Sequence, residues 1–480
     1  MSIRPIQNKV ITSDSLEYLK LFNDYQADIL FCDPPYALGS EVIIRQDSKV
    51  DYKKASDFMN KWEMPTGDYW EKWFIEAYRT LKHGGYLIMY GMDRQLLLFK
   101  YYASLAGFQE QQSIYWYYIS NFPKATDLSK MIDKNAGAER EVIGTKISEG
   151  GRSGNTSGIE NFNKEFDITT PSTELAKKYN GYKYSISPLK QTCETIMVFK
   201  KPNKTGSVLH DTLAMENGDN TITCSALNID GNRVDFSKNE TDRRVGTDVK
   251  RGDSKGLGEN KSLWGGNDGI NKIGVQMYKD GGRYPAQTFI DSQVAEKLDL
   301  QSGIIKSSNN RINKIGTPTD SPTSFGVANK EHEYNDTGGC SKILHKCDYE
   351  QIDFDLFIYQ PKVSIKERNA GLDTFEDLKF NSDVPVPQRA ERPFNSVKNN
   401  HPTLKPIELN KKILKLFKTP NEQVIIYPFA GSGSEIIGGH KANFRNWFAC
   451  EINDNYTKIA NARIKYFEEN DYEQLSLFDE

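Results

Sequence analysis

The chain has 480 residues, of which 37% are hydrophobic and 26% are charged, and its formal net charge is −3 at pH 7. This length predicts two to four domains, each able to bury its own core. No apolar run approaches the roughly 18 residues of a membrane span, the N-terminus lacks a signal-peptide pattern, and the six cysteines form no regular framework. These features predict a cytoplasmic protein and exclude one whose nucleic-acid affinity comes from overall positive charge.

Strands and helices alternate over the first 120 residues. Apolar runs predict strands at Val10-Ile11, Ile29–Cys32, Tyr86–Tyr90 and Ser113–Tyr118. Helices are predicted over Leu16–Phe22, Trp70–Leu81 (ended by Gly84-Gly85) and Gln95–Ala106. This rhythm predicts an α/β fold with a parallel, doubly wound sheet.

The tetrapeptide Asp33-Pro34-Pro35-Tyr36 directly follows the second of these strands. Ligands of open α/β sheets bind at this edge, outside the carboxyl ends of the strands. A carboxylate, a rigid turn that exposes backbone carbonyls and an aromatic plane together suit a flat ring that carries an amine. The alternative is a capped turn without a role in binding.

The rhythm breaks after Asn121. Residues 145–175 are rich in Gly, Ser, Thr and Asn, which predicts a mobile loop, and Glu194–Phe199 returns as a strand. Residues 203–395 are polar and glycine-spotted, which predicts a separate, irregular domain.

The α/β pattern then resumes near the C-terminus. Helices are predicted over Pro406–Phe417, Glu435–Lys441 and Asn455–Phe467, and strands over Gln423–Tyr427 and Trp447–Cys450. A sheet that starts, is interrupted and finishes indicates one α/β domain with a large insertion. We therefore predict a catalytic domain in two parts (1–202 and 396–470), an inserted domain (203–395) and a C-terminal tail (471–480).

A glycine loop, Phe429-Ala430-Gly431-Ser432-Gly433-Ser434, joins a predicted strand to a predicted helix. Glycines there let the backbone approach a ligand closely, and free helix N–H groups favour an anionic group. Glu451 ends the next strand, where an acid can bind two ribose hydroxyls. This order of elements predicts an adenosine-type cofactor, and no lysine follows the glycines as a phosphate-binding loop would require. The alternative is a plain tight turn with a surface glutamate.

Three motifs follow one another in an order typical of one enzyme family: Asp33-Pro34-Pro35-Tyr36, His401-Pro402-Thr403-Leu404-Lys405-Pro406 and Phe429-Ala430-Gly431-Ser432-Gly433-Ser434. With them the chain resembles the permuted beta class of DNA amino-methyltransferases, which use S-adenosylmethionine (SAM). Weaker stretches resemble members from phages and mobile elements: Asn121–Lys124, Gly137–Glu141, Gly282–Ala286, Pro361-Lys362 and Glu367-Arg368. The resemblance implies a circularly permuted, Rossmann-like sheet with an inserted target-recognition domain.

The resemblance also implies how the target base is held. Asp33 and the backbone carbonyl of Pro34 would accept hydrogen bonds from the exocyclic amine, and Tyr36 would stack on the ring. The base would have to be flipped out of the duplex. Methyl transfer would be a direct in-line displacement that requires no metal and no covalent intermediate.

The cofactor residues follow from the same family. Gly431 and Gly433 would lie against the methionine part of SAM, and Glu451 would bind the ribose. Asp14 matches an aspartate near the adenine, although Ser13 stands where the family usually has glycine, and a helix N-cap is the alternative. The methionine end would also be lined by the second motif and by the rest of the glycine loop: His401, Thr403, Lys405, Phe429, Ala430, Ser432 and Ser434.

An aspartate at the start of the first motif favours the N6 amine of adenine, since cytosine-N4 enzymes of this class more often begin it with serine. C5 methylation of cytosine needs a nucleophilic cysteine, typically in a Pro-Cys pair, and the chain has none. The alternatives are cytosine N4, single-stranded RNA, and a DNA-binding protein that keeps SAM only as a structural or regulatory ligand. Cys340 and Cys347 flank His345, but without further ligands nearby we predict no metal site.

The partners follow from the resemblance as well. We expect double-stranded DNA as the substrate, with Arg243, Arg244 and Arg251 as candidate contacts to bases or phosphates. Family members often dimerise, so a second copy of this chain is a candidate partner in a homodimer. The tail Gln474–Phe478 resembles the peptide that docks bacterial proteins on the replication sliding clamp; the alternative is a tail that packs on its own domain.

Overall fold

The structure is a computed structural model. It describes residues 4–35, 41–44, 50–53, 65, 67–118, 124–149, 162–187, 189–233, 278–279, 282–290, 292–303, 305–306, 337–338, 345–346, 363, 365–375, 398–399, 401 and 403–476. Several predictions fall outside these residues: the position of Tyr36, the contacts of Arg243, Arg244 and Arg251, the two cysteines beside His345, and the last residues of the tail peptide.

The strands of the described residues, in chain order, are β1 (Val10–Thr12), β2 (Ala27–Cys32), β3 (Glu41–Ile44), β4 (Val50–Lys53), β5 (Leu81–Gly91), β6 (Gln109–Glu110), β7 (Ile114–Tyr117), β8 (Lys124–Asp127), β9 (Val142–Glu149), β10 (Phe162–Thr169), β11 (Lys183–Ser187), β12 (Cys193–Lys200), β13 (Tyr278–Lys279), β14 (Gly282–Arg283), β15 (Thr288–Ile290), β16 (Ile305–Lys306), β17 (Thr337–Gly338), β18 (His345–Lys346), β19 (Val424–Tyr427) and β20 (Asn446–Glu451).

The helices of the same residues are α1 (Ser15–Leu19), α2 (Tyr69–Thr80), α3 (Asp93–Ala106), α4 (Leu128–Asn135), α5 (Glu174–Lys178), α6 (Val208–Glu216), α7 (Ser292–Ser302), α8 (Ile365–Asn369), α9 (Ile407–Phe417), α10 (Ser434–Lys441) and α11 (Asp454–Ser476). None of the helices within this described part is long and apolar enough to cross a membrane.

The central sheet is assembled from both ends of the chain. Seven neighbouring strands of this sheet lie in the order β1-β20-β19-β2-β5-β12-β7. The first five run parallel, and β12 is antiparallel to both β5 and β7. The predicted α/β sheet is therefore confirmed, although it is mixed rather than wholly parallel.

Hydrophobic cores cover both faces of this sheet. Alternate residues of β2 point to opposite faces, as the two-residue period of a strand requires: Ile29 and Phe31 join one core, and Leu30 and Cys32 join the other. The first core contains residues of α9, α10 and α11, and the second contains residues of α1, α2 and α3. Helices thus pack on each face, as the doubly wound prediction requires.

Two predicted elements differ from the structure. The strand expected at Tyr86–Tyr90 begins at Leu81 and includes Gly84 and Gly85. Gly84 has a φ of +79°, and a Cβ there would lie 2.6 Å from the Thr223 carbonyl oxygen, so these glycines permit a close approach rather than end a helix. The loop predicted over 145–175 is wrong at both ends, because β9 and β10 pair as an antiparallel hairpin.

The chain divides into two compact units. One consists of Met1–Asn228, Gln287–Phe289 and Cys347–Glu480, and the other of Ile229–Ala286 and Ile290–Lys346. The first unit therefore extends past the boundary predicted at 202. At its limit the Asn228 backbone N–H donates to the Leu416 carbonyl at the end of α9, at 2.8 Å. In the second unit β13 pairs with β14 and β16 with β17, each antiparallel.

Candidate active site

The site lies in the first unit, at the carboxyl ends of its parallel strands. Chain order reverses between β19 and β2: the chain passes from β19 to β20 on one side, and from β2 to β5 on the other. Such a switch point leaves a crevice outside the strand ends. A cavity of about 340 Å³ opens there. It is lined by Ser13, Asp14, Ser15, Asp33, Pro34, Pro35, Pro65, Tyr69, His401, Thr403, Leu404, Pro428, Phe429, Gly431, Ser432, Ser434, Glu435, Glu451, Ile452 and Asn453.

Asp33 is held by a buried lysine. Its Oδ2 lies 2.5 Å from Lys405 Nζ, although the two residues are 372 positions apart in the sequence. The side chains of Asp33 and Lys405 are only 8% and 2% exposed. A pair this well removed from water and this close is strongly coupled, because little solvent screens the two charges.

Lys405 has a second acidic neighbour that sequence reasoning missed. Glu194 in β12 places Oε2 3.6 Å from Lys405 Nζ, and the ring of Tyr90 lies beneath the ammonium group at 4.7 Å. Burial alone lowers the pKa of Lys405, but the carboxylates of Asp33 and Glu194 outweigh it and raise that pKa above its ordinary value. Lys405 is therefore a permanent cation at neutral pH. The resemblance predicted a place for Lys405 at the cofactor, and its contacts described here are with Asp33, Glu194 and Tyr90.

The Asp-Pro-Pro turn is fixed from the side by α3. The side-chain amide of Gln95 donates to the Pro35 carbonyl at 3.0 Å, and Gln95 is 1% exposed. Pro34 and Pro35 line the cavity beside Asp33. Lys405 thus holds the Asp33 carboxylate of this turn, and Gln95 holds its Pro35 carbonyl.

The glycine loop takes the conformation that only glycine adopts readily. Gly431 and Gly433 have φ angles of +52° and +84°. A Cβ at Gly431 would lie 2.9 Å from His401 Nε2, so this side chain and the loop fit against each other. A buried arginine of α11 fixes the loop from behind, since Arg463 donates to the Ser432 carbonyl at 2.6 Å and to the Ser434 hydroxyl at 3.2 Å.

His401 is a neutral, buried wall of the cavity. Burial and the charges of Arg368, Lys405 and Arg463 lower its pKa to about 3. Arg368 also donates to the His401 backbone carbonyl at 2.7 Å. His401 therefore supplies an uncharged ring at working pH, and Thr403 lines the cavity near it.

Glu451 lies where the sequence predicted, at the end of β20. Its two oxygens accept from the backbone N–H groups of Gly431 and Asn453, both at 2.9 Å. Burial raises the pKa of Glu451 to about 7 in spite of these hydrogen bonds. The carboxyl is therefore oriented by the backbone and faces a cavity, which suits the recognition of a neutral diol.

Asp14 caps a helix and lines the cavity at the same time. Its Oδ1 accepts from the backbone N–H groups of Leu16 and Glu17 at the start of α1, which is the capping role given above as the alternative. Its Oδ2 accepts from the Tyr69 hydroxyl at 3.1 Å. The cap and the proposed site are thus compatible.

One more acid of this cavity was missed. Glu435 directly follows Ser434 in the first turn of α10 and is 5% exposed. Burial and the negative charge of Asp33 raise the pKa of Glu435 to about 8. Its position next to the glycine loop was a signal that the sequence offered.

The other residues missed had weaker signals. Arg463 stands between Ala460 and Ile464 on the buried face of α11, so a charged group at a core position marked it. Glu194 and Gln95 carry no local pattern that separates them from surface residues. Within the described residues, no three His, Cys, Asp or Glu side chains are grouped to hold a metal ion.

Comparison with known proteins gives matches of three kinds: to a curated protein, to solved structures and to a family. A sequence match to the curated type II methyltransferase M.HpaI of Haemophilus parainfluenzae has 26% identity over 129 residues, which is 27% of this chain and 37% of that enzyme. The chain thus spans little more than a third of this relative's length.

Solved structures with similarity include the M1.HpyAVI–SAM complex (11% identity, 95% of this chain, 98% of that chain, TM-score 0.32). They also include TTHA0409, a putative DNA modification methylase from Thermus thermophilus complexed with SAM (10% identity, 96% of this chain, 95% of that chain, TM-score 0.31). A third is the cytosine-N4-specific PvuII DNA methyltransferase (9% identity, 97% of this chain, 92% of that chain, TM-score 0.35).

These TM-scores are too low to support an assignment, which rests on the sequence instead. The N6/N4 methyltransferase family, described as DNA methylase, matches residues 27–462. That range contains all three motifs and most of the chain. The chain belongs to the N6/N4 DNA methylase family.

Proposed function

We propose that this protein methylates the N6 amine of adenine in double-stranded DNA, with SAM as the methyl donor. Membership in a DNA methylase family supports methyl transfer to DNA. One observation carries the rest: Asp33 at the end of β2, the glycine loop at the end of β19 and Glu451 at the end of β20 line a single cavity. A target-base group and a cofactor site are therefore adjacent, as direct transfer requires.

The residues of the cavity fit SAM. Glu451 presents a carboxyl that the backbone orients, which suits the ribose hydroxyls. Gly431 borders the cavity without a Cβ, where the methionine part would lie, and Gly433, whose Cβ would meet Ile464, supplies the left-handed turn that shapes the loop. A cationic ligand would favour the ionised form of Glu435, a buried carboxyl that also lines the cavity. When bound, SAM supplies a methyl group on a positively charged sulfur, which is the electrophile.

Asp33 prepares the nucleophile. Its carboxylate accepts a hydrogen bond from the exocyclic amine, which keeps the nitrogen lone pair directed toward the methyl group. Lys405 holds this carboxylate in place and stabilises its ionised form. When the amine nitrogen becomes positively charged, the carboxylate stabilises that charge and is placed to take up the proton that leaves. Pro34 borders the cavity, and its backbone carbonyl would offer the second acceptor for the amine.

The base reaches this pocket by leaving the duplex, which costs on the order of a few kcal/mol. We assign recognition of the DNA sequence to the inserted region, within residues 203–395. The net charge of −3 requires that positive charge be concentrated where the DNA phosphates lie.

The tail peptide Gln474–Phe478 remains a proposed clamp-binding segment. Deletion of the last seven residues would then abolish clamp binding.

Asp33→Ala tests the function. DNA from cells that express the wild-type protein should carry N6-methyladenine at one sequence motif in single-molecule sequencing. DNA from cells that express Asp33→Ala should carry none, while the purified variant retains DNA binding. N4-methylcytosine in place of methyladenine would support the cytosine alternative. Unmodified DNA with the wild-type protein would contradict methyl transfer and favour a non-catalytic SAM-binding protein.

A further inference from the structure

Glu435 is a buried acid that the proposed reaction does not yet use. It borders the cavity with Asp33 and Glu451, and 5% of the residue is exposed. α10 begins at Ser434, so the position of Glu435 is fixed by the loop that precedes it. Its carboxyl therefore belongs to the part of the site that the glycine loop forms.

This carboxyl forms no salt bridge in the described part of the chain. Lys405, whose charge lowers the pKa of Glu435, is engaged at 2.5 Å by Asp33 and at 3.6 Å by Glu194. Arg463 also lowers the pKa of Glu435 but directs its hydrogen bonds to Ser432, Ser434 and the Glu367 carbonyl. An acid buried without a counter-ion is costly, unless a ligand supplies the opposite charge.

The ligand of this site carries such a charge. SAM has a positively charged sulfonium, whereas the product S-adenosylhomocysteine (SAH) has an uncharged thioether. The two are otherwise alike in ribose, adenine, amino and carboxylate groups. A carboxylate beside the sulfur therefore distinguishes them, while contacts to the other groups do not.

We propose that Glu435 is a specificity-determining residue that favours SAM over SAH by facing the sulfonium charge. The inference rests on the proposed function, since it concerns the same cofactor site. It assigns Glu435 a role separate from Asp33, which faces the amine, and from Glu451, which faces the ribose. Its consequence is that the product leaves more readily than the substrate once the charge has moved away from the sulfur.

The test is calorimetric titration of SAM and of SAH into the wild-type protein and Glu435→Gln, without DNA. Glutamine keeps the shape of the side chain but cannot ionise when the sulfonium binds. We expect SAM affinity to fall about tenfold, or about 1.4 kcal/mol, with SAH affinity within twofold of the wild-type value. An equal loss for both ligands, or no loss for either, would overturn the proposal.

Glu451→Gln is the matched control. It also removes a buried carboxyl of this cavity, but the ribose is common to both ligands, so SAM and SAH affinity should fall by the same factor. Glu435→Asp, which keeps the charge, should retain part of the preference for SAM and guards against a folding defect in the glutamine variant. A wild-type protein that binds neither ligand would refute the cofactor assignment itself. Intact SAM binding with no preference lost in Glu435→Gln would refute only the role of Glu435.

Discussion

Lys405 shows how one residue connects distant parts of the chain. The sequence placed it in a motif next to the cofactor, but its ammonium group lies against Asp33 and Glu194. Both contacts require tertiary structure, because Lys405 precedes α9 whereas Asp33 follows β2 and Glu194 lies in β12. A contact of Lys405 with the cofactor and a contact with the two carboxylates predict different effects of its replacement on SAM binding.

Replacing Lys405 by methionine should abolish methyl transfer without weakening SAM binding. The change leaves two buried carboxyls without their cation, so the free energy of unfolding should fall by about 3–5 kcal/mol. Urea denaturation measures the stability, and calorimetry measures SAM affinity. A large loss of SAM affinity with unchanged stability would instead favour a direct contact between Lys405 and the cofactor.

Lys411→Met is the control for that variant. Lys411 also pairs with a carboxylate, Glu408, at 3.2 Å, but the pair is about one-third exposed and one turn apart on α9. Exposed pairs of this kind contribute about 0–1 kcal/mol. The control should therefore keep activity and lose little stability.

At the level of elements, two glycines of α10 permit close packing, Gly438 against α9 and Gly439 against β19. A Cβ at Gly438 would lie 2.5 Å from the Asn410 Cβ, and one at Gly439 would overlap the Tyr427 hydroxyl. Asn410 in turn accepts a hydrogen bond from Tyr90 at 2.7 Å, and the Tyr90 ring underlies Lys405. The helix contact thus supports the wall of the site.

Gly438→Ala should destabilise the protein by about 1–3 kcal/mol. Alanine is the better helix former by about 1 kcal/mol, but the added methyl group must push α9 and α10 apart. Thermal or urea denaturation measures the loss. Gly144→Ala in β9 is the control, because its Cβ would meet no atom within 4 Å. Equal stability of the two variants would contradict tight packing between α9 and α10.

At the scale of the whole molecule, buried titratable groups govern how stability depends on pH. The pKa values of Glu435 and Glu451 are raised to about 8 and about 7, above the 4.5 of an ordinary glutamate. The folded protein therefore holds protons that the unfolded chain has released, so stability falls as pH rises toward 8. His401 acts oppositely, because its pKa falls from 6.5 to about 3, but its effect ends near pH 6.5.

The melting temperature of the free protein should accordingly fall between pH 6.5 and pH 8. Each of the two carboxyls contributes up to about 1.4 kcal/mol per pH unit while only its folded form is protonated. Calorimetric melting in this window measures the slope, and Glu435→Gln should flatten it. A melting temperature that rises from pH 6.5 to pH 8 would contradict this prediction.

The sequence by itself determined the local elements and the types of groups at the site. Apolar runs located β2, β19 and β20, and the motifs after them located Asp33, the glycine loop and Glu451, because strand ends and turns carry local patterns. The family match over residues 27–462 confirms the DNA methylase family that these motifs indicated.

Only the tertiary structure decided which groups meet. Antiparallel β12, the glycines inside β5 and the β9–β10 hairpin depend on contacts between distant residues, which local propensity does not encode. The same holds for the Lys405–Asp33 pair and for the burial of Glu435. The pKa values of these groups shift because folding removes them from water and places other charges beside them. Both effects arise only when the two ends of the chain complete one sheet.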